Sequence, residues 1–283
     1  MRRALNVVLF CLVSGVFAVA DSPGPLKPVF HFFQFPGSTQ THLTNISSNN
    51  LAVGWYVDSS NMQRGFVAKN GKLSALNHPD GVGGTLLEDV NAAGTIVGYY
   101  VDAAGNAHGF SYAGGKFTEV GPPGALQAYA SGIDDLGRMT GQFQDTDGVF
   151  KGWIFDGTSY QTLWTGFSTT ILDINQQGLA TVTWQDASNL YEAAIYDGQN
   201  LTAINVPGAL YSFARGISTS GDVALYWTND LVTFHSAVLI GHTFKTFDAP
   251  GCDSTRASGI NDHRIIVGAC KVGLDYKAFY VTY

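Results

Sequence analysis

A motif that recurs about every 43 residues constrains the fold of this chain more than any other feature. A Pro-Gly turn marks four copies, Pro79-Asp80 marks a variant copy, and Gly166 holds the position in a copy without proline. The four regular turns are Pro36-Gly37, Pro123-Gly124, Pro207-Gly208 and Pro250-Gly251. Such even spacing indicates six copies of one supersecondary unit, which bury their apolar faces by stacking on one another.

Two further turn markers run in the same phase. The first is a β-branched apolar residue, a short polar residue and, in most copies, a Gly or Asn; its copies begin at Ile46, Val90, Ile133, Ile174, Ile217 and Ile260. Asn, Asp and Ser cap turns with their own side chains, and Gly or Asn tolerates positive φ. The second is a two-residue hairpin signal, found at Asn70-Gly71, Gly114-Gly115, Asp156-Gly157, Asp197-Gly198 and, more weakly, Gly241-His242. Each copy therefore has four short strands, A to D, which is typical of a β-propeller blade.

The two ends of the chain predict how the blades assemble. Residues 29–35 form a D-type strand with no A, B or C before it, and residues 277–283 form a C-type strand with no D after it. Pairing these ends would close a ring and remove exposed sheet edges. We therefore expect an all-β, six-bladed β-propeller over residues 29–283, with four-stranded blades and with repeats at about 29–72, 73–116, 117–159, 160–200, 201–243 and 244–283.

The N-terminus predicts export. Arg2 and Arg3 precede an apolar run from Ala4 to Phe17 and a small-x-small site at residues 18–20, the pattern of a cleaved signal peptide over 1–20. A short linker follows at 21–28. The alternative, a membrane anchor, needs about 20 apolar residues. We expect a secreted or extracellular protein, with the periplasm or cell surface as alternatives.

Cysteine content and charge follow from that cleavage. Cys252 and Cys270 remain, and a disulfide between them is favoured in an exported chain over two free thiols. Removing two arginines leaves 13 basic against 22 acidic residues, a formal charge of −9. An acidic surface repels phosphate, so nucleic acid is not expected as a partner, and no segment of the cleaved chain is long and apolar enough to span a membrane.

The repeat resembles an extracellular bacterial family named for its His-Ala-Phe (HAF) motif. The resemblance covers nearly all of residues 29–283, and the fourth and fifth copies depart most, with residues 192–194 and 236–238 where His-Gly-Phe would stand. The matching residues are Asn91, Gly94, Ile96-Val97-Gly98, Tyr100 and His108-Gly109-Phe110 in the second copy, and Asp248-Ala249-Pro250-Gly251, Gly259-Ile260-Asn261 and Ile266-Val267-Gly268 in the sixth. It implies an exported bacterial repeat protein and brings no known catalytic residues.

No motif points to a metal or cofactor. The seven histidines have no second His or Cys at zinc-ligand spacing. The B–C loops open with Asp58, Asp102, Asp145, Asp186 and Asn229. Calcium is the alternative here, best supported at residues 145–148, but a local Asx turn explains each residue alone. We expect no cofactor.

Strand A of each copy is predicted to line the central channel. Alternation places Leu43, Leu87, Ala130, Ile171, Ala214 and Ala257 on one side, while the opposite register varies between copies. Variation confined to the channel side is what a binding site would show, and the candidates are His42, Glu88, Tyr129, Arg215 and Arg256. The alternative is a polar, water-filled axis with Glu88 paired to an arginine.

A ring of aromatic residues recurs on strand B. Tyr56, Tyr100, Phe143, Trp184 and Trp227 share one register, with Cys270 in the sixth copy. Packing between blades is the favoured interpretation, and stacking on carbohydrate is the alternative.

These features favour a secreted, non-enzymatic binding or adhesion module. Its ligand would be a glycan, a peptide or a protein partner at the channel mouth or the loop face. The alternative is an extracellular carbohydrate-active hydrolase or lyase with its site at the central channel, and a third interpretation is a purely structural envelope repeat. Strand A offers Glu88 and His42 as its acid and base groups, a scarcity that disfavours catalysis.

Overall fold

The protein is described here by a computed structural model, which covers residues 28–282. The predicted signal peptide, 1–20, and nearly all of the linker lie outside the described residues. Within this range the chain forms 24 strands and no helix, and hence no helix that would reach across a bilayer. The all-β prediction is confirmed. In chain order the strands are β1 Val29–Phe33, β2 Gln40–Ile46, β3 Ala52–Val57, β4 Gln63–Lys69, β5 Lys72–Ala75, β6 Gly84–Val90, β7 Ile96–Val101, β8 Ala107–Ala113, β9 Lys116–Glu119, β10 Gln127–Ile133, β11 Met139–Gln144, β12 Phe150–Phe155, β13 Tyr160–Leu163, β14 Thr169–Ile174, β15 Ala180–Gln185, β16 Tyr191–Tyr196, β17 Leu201–Ala203, β18 Tyr211–Ile217, β19 Val223–Thr228, β20 His235–Ile240, β21 Thr243–Phe247, β22 Ser254–Ile260, β23 Ile266–Val272 and β24 Asp275–Thr282.

The strands form five sheets. Four of them have four strands in chain order: β6–β9, β10–β13, β14–β17 and β18–β21. The fifth has eight strands in the order β22-β23-β24-β2-β3-β4-β5, with β1 paired to β24 off that path. The β1–β24 pairing is antiparallel and runs from Val29 opposite Thr282 to Phe33 opposite Ala278. A single parallel pair, Gln40 with Tyr276, joins β24 to β2.

The turn between the first and second strand of each unit has the predicted backbone. The fourth residue after the β-branched marker has positive φ in all six copies: Asn50, Gly94, Gly137, Gly178, Gly221 and Arg264. Arg264, with φ 57°, is the copy without Gly or Asn. Its side chain donates to Asp222 Oδ2 over 2.8 Å. A Gly or Asn therefore accounts for the positive φ in five copies. In the sixth copy the backbone of Arg264 is strained, and its side chain forms an ion pair.

Apolar packing occurs between neighbouring sheets. Six clusters of buried residues lie in the described range, and the predicted strand B aromatics pack within them. One cluster combines Leu43 and Phe66 from the start of the chain with Val267 and Ala278 from its end. Cys270 lies in another, and it is joined to Cys252 by a disulfide. The strand B ring thus has the packing role that the sequence favoured.

A β-bulge interrupts every first strand. The pairing with the second strand shifts register after Leu43, Leu87, Ala130, Ile171, Ala214 and Ala257. The extra residue breaks the strict alternation of side chains assumed from the sequence. It brings the residues just beyond the bulge toward the centre of the molecule, where they form part of the site described next.

Candidate functional site

The first strands of the units lie around a common centre. Each of β2, β6, β10, β14 and β18 contacts the next first strand along the chain, and β2 also contacts β22. Residues that face inward from these six strands therefore converge. They form two layers: an open pocket near the strand starts and a tightly bonded cluster near the strand ends.

The pocket brings together four of the five candidate residues. His42, Glu88, Arg215 and Arg256 line one cavity of about 310 Å³, here called the inner pocket. Its wall also contains the aromatic residues Trp55, Tyr226 and Tyr276. The volume lies at the lower end of the range for small-ligand sites. The wall combines these aromatic rings with a larger number of polar and charged side chains, among them Gln40 and Ser258.

Tyr129 is not part of this lining. Its ring lies 4.7 Å from that of Tyr99, and its hydroxyl donates to Gln127 Oε1 over 3.1 Å. Burial raises the pKa of Tyr129. The pKa of Tyr99 is also raised, by burial and by the negative charge of Glu88. Both phenols are therefore neutral hydrogen-bonding groups beside the pocket.

Glu88 and Arg215 form the ionic contact of the pocket. The Glu88 carboxylate lies 3.7 Å from the Arg215 guanidinium, which is the arginine pairing expected as the alternative for Glu88. Burial raises the pKa of Glu88, and the Arg215 charge opposes that rise. Each group thus compensates the other, and neither leaves net charge in the cavity.

His42 is held flat against an aromatic surface. Its ring stacks on Trp55 with centroids 3.9 Å apart and planes 13° apart, and it lies 4.6 Å from Tyr276. Burial, and then the charge of Arg256, lower the pKa of His42 to about 3. The imidazole is therefore neutral at physiological pH. Its Nε2 atom is buried and has no hydrogen-bond partner among the described residues.

Arg256 is the unusual group of the pocket. Its guanidinium carbon lies 4.1 Å from the Phe234 ring centroid and 5.8 Å from the rings of both Tyr226 and Tyr276. Its Nε atom is buried without a hydrogen-bond partner. Of the ten ion pairs found between residues 28 and 282, none involves Arg256. Aromatic faces stabilise a cation, but they do not satisfy its N–H donors.

Beyond the bulges, three polar side chains fill the centre. Asn45, Asp89 and Asp173, here called the inner plug, are all buried. Asp89 accepts the backbone N–H groups of Val90 and Ile133 at 2.6 and 2.7 Å. The carboxylate of Asp173 likewise accepts hydrogen bonds from two backbone N–H groups, those of Ile174 and Ile217, and a third from Asn45 Nδ2.

The plug corrects the count of acids made from the sequence. Glu88 and His42 are not the whole set on the first strands, because Asp89 and Asp173 also converge at the centre, where they line one small cavity. Burial and the nearby charge of Asp173 raise the pKa of Asp89 well above its usual value, and burial raises the pKa of Asp173 to about 6. Each of the four carboxyl oxygens accepts a backbone N–H bond. The space beside them is only about 70 Å³.

The sequence carried a signal for the plug. The residue before each β-branched turn marker is Asn45, Asp89, Gly132, Asp173, Gly216 or Gly259, so Asx and Gly alone occupy that position. A Cβ on Gly259 would lie 2.7 Å from the Asn45 Cα, and one on Gly132 would lie 2.6 Å from the Asp173 Cα. The centre therefore has room for three side chains and needs three glycines.

The B–C loops show local bonding. Asp58 Oδ1 accepts the backbone N–H groups of Ser60 and Met62, the geometry of an Asx turn. Asp145 and Asp147, the best calcium candidates, both contact Lys151 Nζ, at 2.8 and 2.6 Å. No group of three or more His, Cys, Asp or Glu side chains suited to a metal ion occurs in residues 28–282.

Comparisons with known proteins identify the fold. No family model and no curated protein matches the chain. A mutant of the Aleuria aurantia lectin in complex with Fucα1-6GlcNAc superposes with a TM-score of 0.53 at 12% identity, covering 87% of this chain and 95% of that one. SapL1 lectin in complex with alpha methyl fucoside gives 0.56 at 14% identity, covering 87% and 94%.

A third structure names the architecture. The β-propeller domain of the Trilobed protease from Pyrococcus furiosus, described as having an open velcro topology, gives a TM-score of 0.50 at 9% identity. It covers 86% of this chain and 94% of that domain. Likeness at such low identity is evidence of fold alone, and here it shows a β-propeller.

Proposed function

We propose that this chain is an exported, six-bladed β-propeller that binds carbohydrate in the inner pocket and does not catalyse a reaction. The observation that carries the proposal is the pocket itself. Stacked aromatic rings surround two buried polar atoms, His42 Nε2 and Arg256 Nε, that have no partner within the described chain. Aromatic faces for sugar rings, together with a few convergent hydrogen-bonding groups, are what a saccharide site requires.

Six blades and a closed ring are the interpretation that best accounts for the eight-stranded sheet. One parallel residue pair joins its two halves, so we treat them as two blades, β22–β24 with β1 and β2–β5. The turn-to-turn bonds support this division. Asn91 Nδ2 donates to Asp134 O and Asn175 Nδ2 to Ser218 O, each 43 residues on. Asn261 Nδ2 donates in the same way to Ser47 O, which links the last unit to the first.

A glycan is favoured over a peptide or a protein partner by the shape of the site and by the likeness to lectins. The pocket is a compact cavity lined by the first strands β2, β6, β18 and β22 and by strands beside them, whereas a protein partner would need an extended surface. Two of the similar folds are lectins whose structures contain fucosides. Their ligands support the class of compound without specifying the sugar for this chain.

Binding is favoured over hydrolysis because the buried carboxyl groups near the centre are already engaged in hydrogen bonds or an ion pair. A glycosidase needs two carboxyl groups free to act on one glycosidic bond. Asp89 and Asp173 are close together, but their oxygens are bonded to the backbone, and the space beside them is too small for a sugar. Glu88 is the acid of the pocket, and it is paired with Arg215.

Export and membership of the HAF-type bacterial repeat family remain part of the proposal. The signal-peptide pattern of residues 1–20 and the Cys252–Cys270 disulfide support a secreted or extracellular location. The motif matches of the second and sixth copies support the family.

A glycan array with the mature chain, residues 21–283, followed by calorimetry on the sugars that bind, tests the function. We expect binding that falls at least tenfold in Trp55→Ala, because this change removes the ring against which His42 stacks. Trp164→Ala is the matched control, since Trp164 is 53% exposed and lies outside the pocket.

The outcomes separate the parts of the proposal. Binding that is lost equally in the two tryptophan variants would place the sugar elsewhere. A mature, folded chain that binds no glycan would end the carbohydrate proposal, and release of reducing sugar by the wild-type protein would favour the hydrolase alternative.

A further inference from the structure

The charged side chains of the inner pocket do not balance. Three charged side chains line it: Glu88, Arg215 and Arg256. The first two lie 3.7 Å apart and compensate each other, and His42 is neutral. The pocket therefore carries one uncompensated positive charge, although the whole chain has a formal charge of −7. A lone cation inside a generally acidic protein is a local feature that the overall composition does not explain.

The position of Arg256 makes that charge costly without a partner. It is half-buried among the rings of Tyr226, Phe234 and Tyr276, with a buried Nε that donates to no atom of residues 28–282. Burying a charge and a donor without compensation is unfavourable. Tertiary packing retains Arg256 at this point, and the residue opposite it on β23 is the small Ala269, which leaves space in front of the guanidinium.

The chemistry of the missing partner follows from these contacts. Guanidinium binds carboxylate through paired N–H donors in one plane. One unit of uncompensated charge matches a single negative charge. The stacked ring of His42 and the faces of Trp55 and Tyr226 suit the body of a sugar.

We infer that the inner pocket selects a glycan bearing one carboxylate, a uronic acid residue, with Arg256 holding the carboxylate and His42 and Trp55 holding the sugar ring. This inference rests on the proposed carbohydrate-binding function and specifies its ligand class. It also assigns Arg256 the role of the residue that determines specificity.

Calorimetry on the mature wild-type chain with four probes tests the ligand class. The probes are oligogalacturonides, their methyl esters, the corresponding neutral galactose oligosaccharides and sulfated galactose oligosaccharides. We expect the oligogalacturonides to bind at least tenfold more tightly than the methyl esters and the neutral sugars. Their affinity should fall as salt rises from 50 to 500 mM, since salt screens a partly exposed ion pair.

Variants then assign the charge to one residue. Arg256→Gln keeps a hydrogen-bonding side chain without charge, and it should reduce oligogalacturonide binding at least tenfold and by a larger factor than it reduces the binding of neutral sugar. Arg256→Lys keeps the charge and should retain part of the acid preference. Arg64→Gln, in a surface pair with Asp58, is the control and should bind like the wild type.

The results distinguish this inference from the function on which it rests. Equal binding of acid, ester and neutral sugar, or tighter binding of sulfated sugar, would overturn the carboxylate assignment and leave the carbohydrate function intact. No binding of any of the four probes, together with a blank glycan array, would overturn both. The probe comparison uses wild-type protein, so it stands even if Arg256→Gln does not fold.

Discussion

The inner pocket and the inner plug both contain residues of β2 and β6, and they differ in how their polar groups are satisfied. In the plug, every carboxyl oxygen of Asp89 and Asp173 accepts a backbone hydrogen bond. In the pocket, a few residues away, Arg256 and His42 each retain a buried nitrogen without a partner. Buried polar atoms in native proteins are nearly always bonded. We therefore assign the satisfied layer a structural role, and the unsatisfied layer is the one that we propose for ligand binding.

The largest expected loss of stability comes from a substitution in the plug. Asp173→Ala should lower the free energy of unfolding by about 3–5 kcal/mol, because it leaves the N–H groups of Ile174 and Ile217 and the amide of Asn45 without their acceptor. Chemical denaturation with matched m-values measures the loss.

Glu88→Ala is the matched control for that experiment. Glu88 immediately precedes Asp89, but its carboxylate has one partner at 3.7 Å and belongs to the pocket. We expect a loss of about 1 kcal/mol or less, since the contact is long at 3.7 Å and the variant also removes the cost of burying the Glu88 charge. Equal losses in Asp173→Ala and Glu88→Ala would remove the distinction between the two layers.

The difference between the layers also explains what the sequence could predict. Strand order and turn positions follow from local signals, such as the positive φ required at Gly94 and Gly137, and a Gly or Asn supplies this signal in five of the six copies. The pairing of β1 with β24 follows from which strand types are missing at the ends. Four of the five proposed channel residues meet in one cavity, because inward-facing positions of neighbouring first strands converge.

The plug could not be predicted by assuming strict alternation. That rule puts Asp89 on the same side as Leu87, while the bulge after Leu87 shifts the register and turns Asp89 toward the centre. A bulge depends on pairing with the next strand, which a single-strand pattern does not contain. The Asx-or-Gly rule at positions 45, 89, 132, 173, 216 and 259 was visible, but only the close approach of backbones at the centre gives it a physical reason.

The second expected effect is a pH dependence that belongs to the plug. Asp173 has a folded pKa of about 6, against about 3.9 for an unfolded aspartate, and the pKa of Asp89 is also raised well above its usual value. A raised carboxyl pKa means that the folded state binds the proton more tightly. The stabilisation is therefore complete below about pH 4 and is lost as pH rises through 6 and above. Each unit of pKa shift corresponds to about 1.4 kcal/mol.

Comparing the wild type with Asp89→Asn isolates this effect. The pKa of His42 is lowered to about 3, so His42 changes stability in the opposite sense over the same range, but it does so equally in both proteins. Denaturation at pH 4 to 8 should show the variant gaining on the wild type as pH rises. Asp230→Asn is the control. Backbone N–H groups of Thr233 and Val232 hold the pKa of Asp230 at about 2, so its difference from the wild type should stay flat above pH 5. A flat difference for Asp89→Asn as well would mean that folding does not raise the pKa of Asp89.

The smallest expected effect comes from a change in the pocket. The sign of the change in the free energy of unfolding is what tests the role of Arg256. Arg256→Met keeps much of the side-chain length and removes a buried charge and an unpartnered donor. Replacing such a group by an apolar one is neutral or stabilising, so we expect the free energy of unfolding of the ligand-free protein to change by less than about 1 kcal/mol, or to rise. The aromatic contacts with Phe234 and Tyr226 limit the gain, since a cation over a ring contributes about 0.5–2 kcal/mol. A loss of 3 kcal/mol or more, as expected for Asp173→Ala, would show that Arg256 is a structural residue and would place both layers in the framework of the fold.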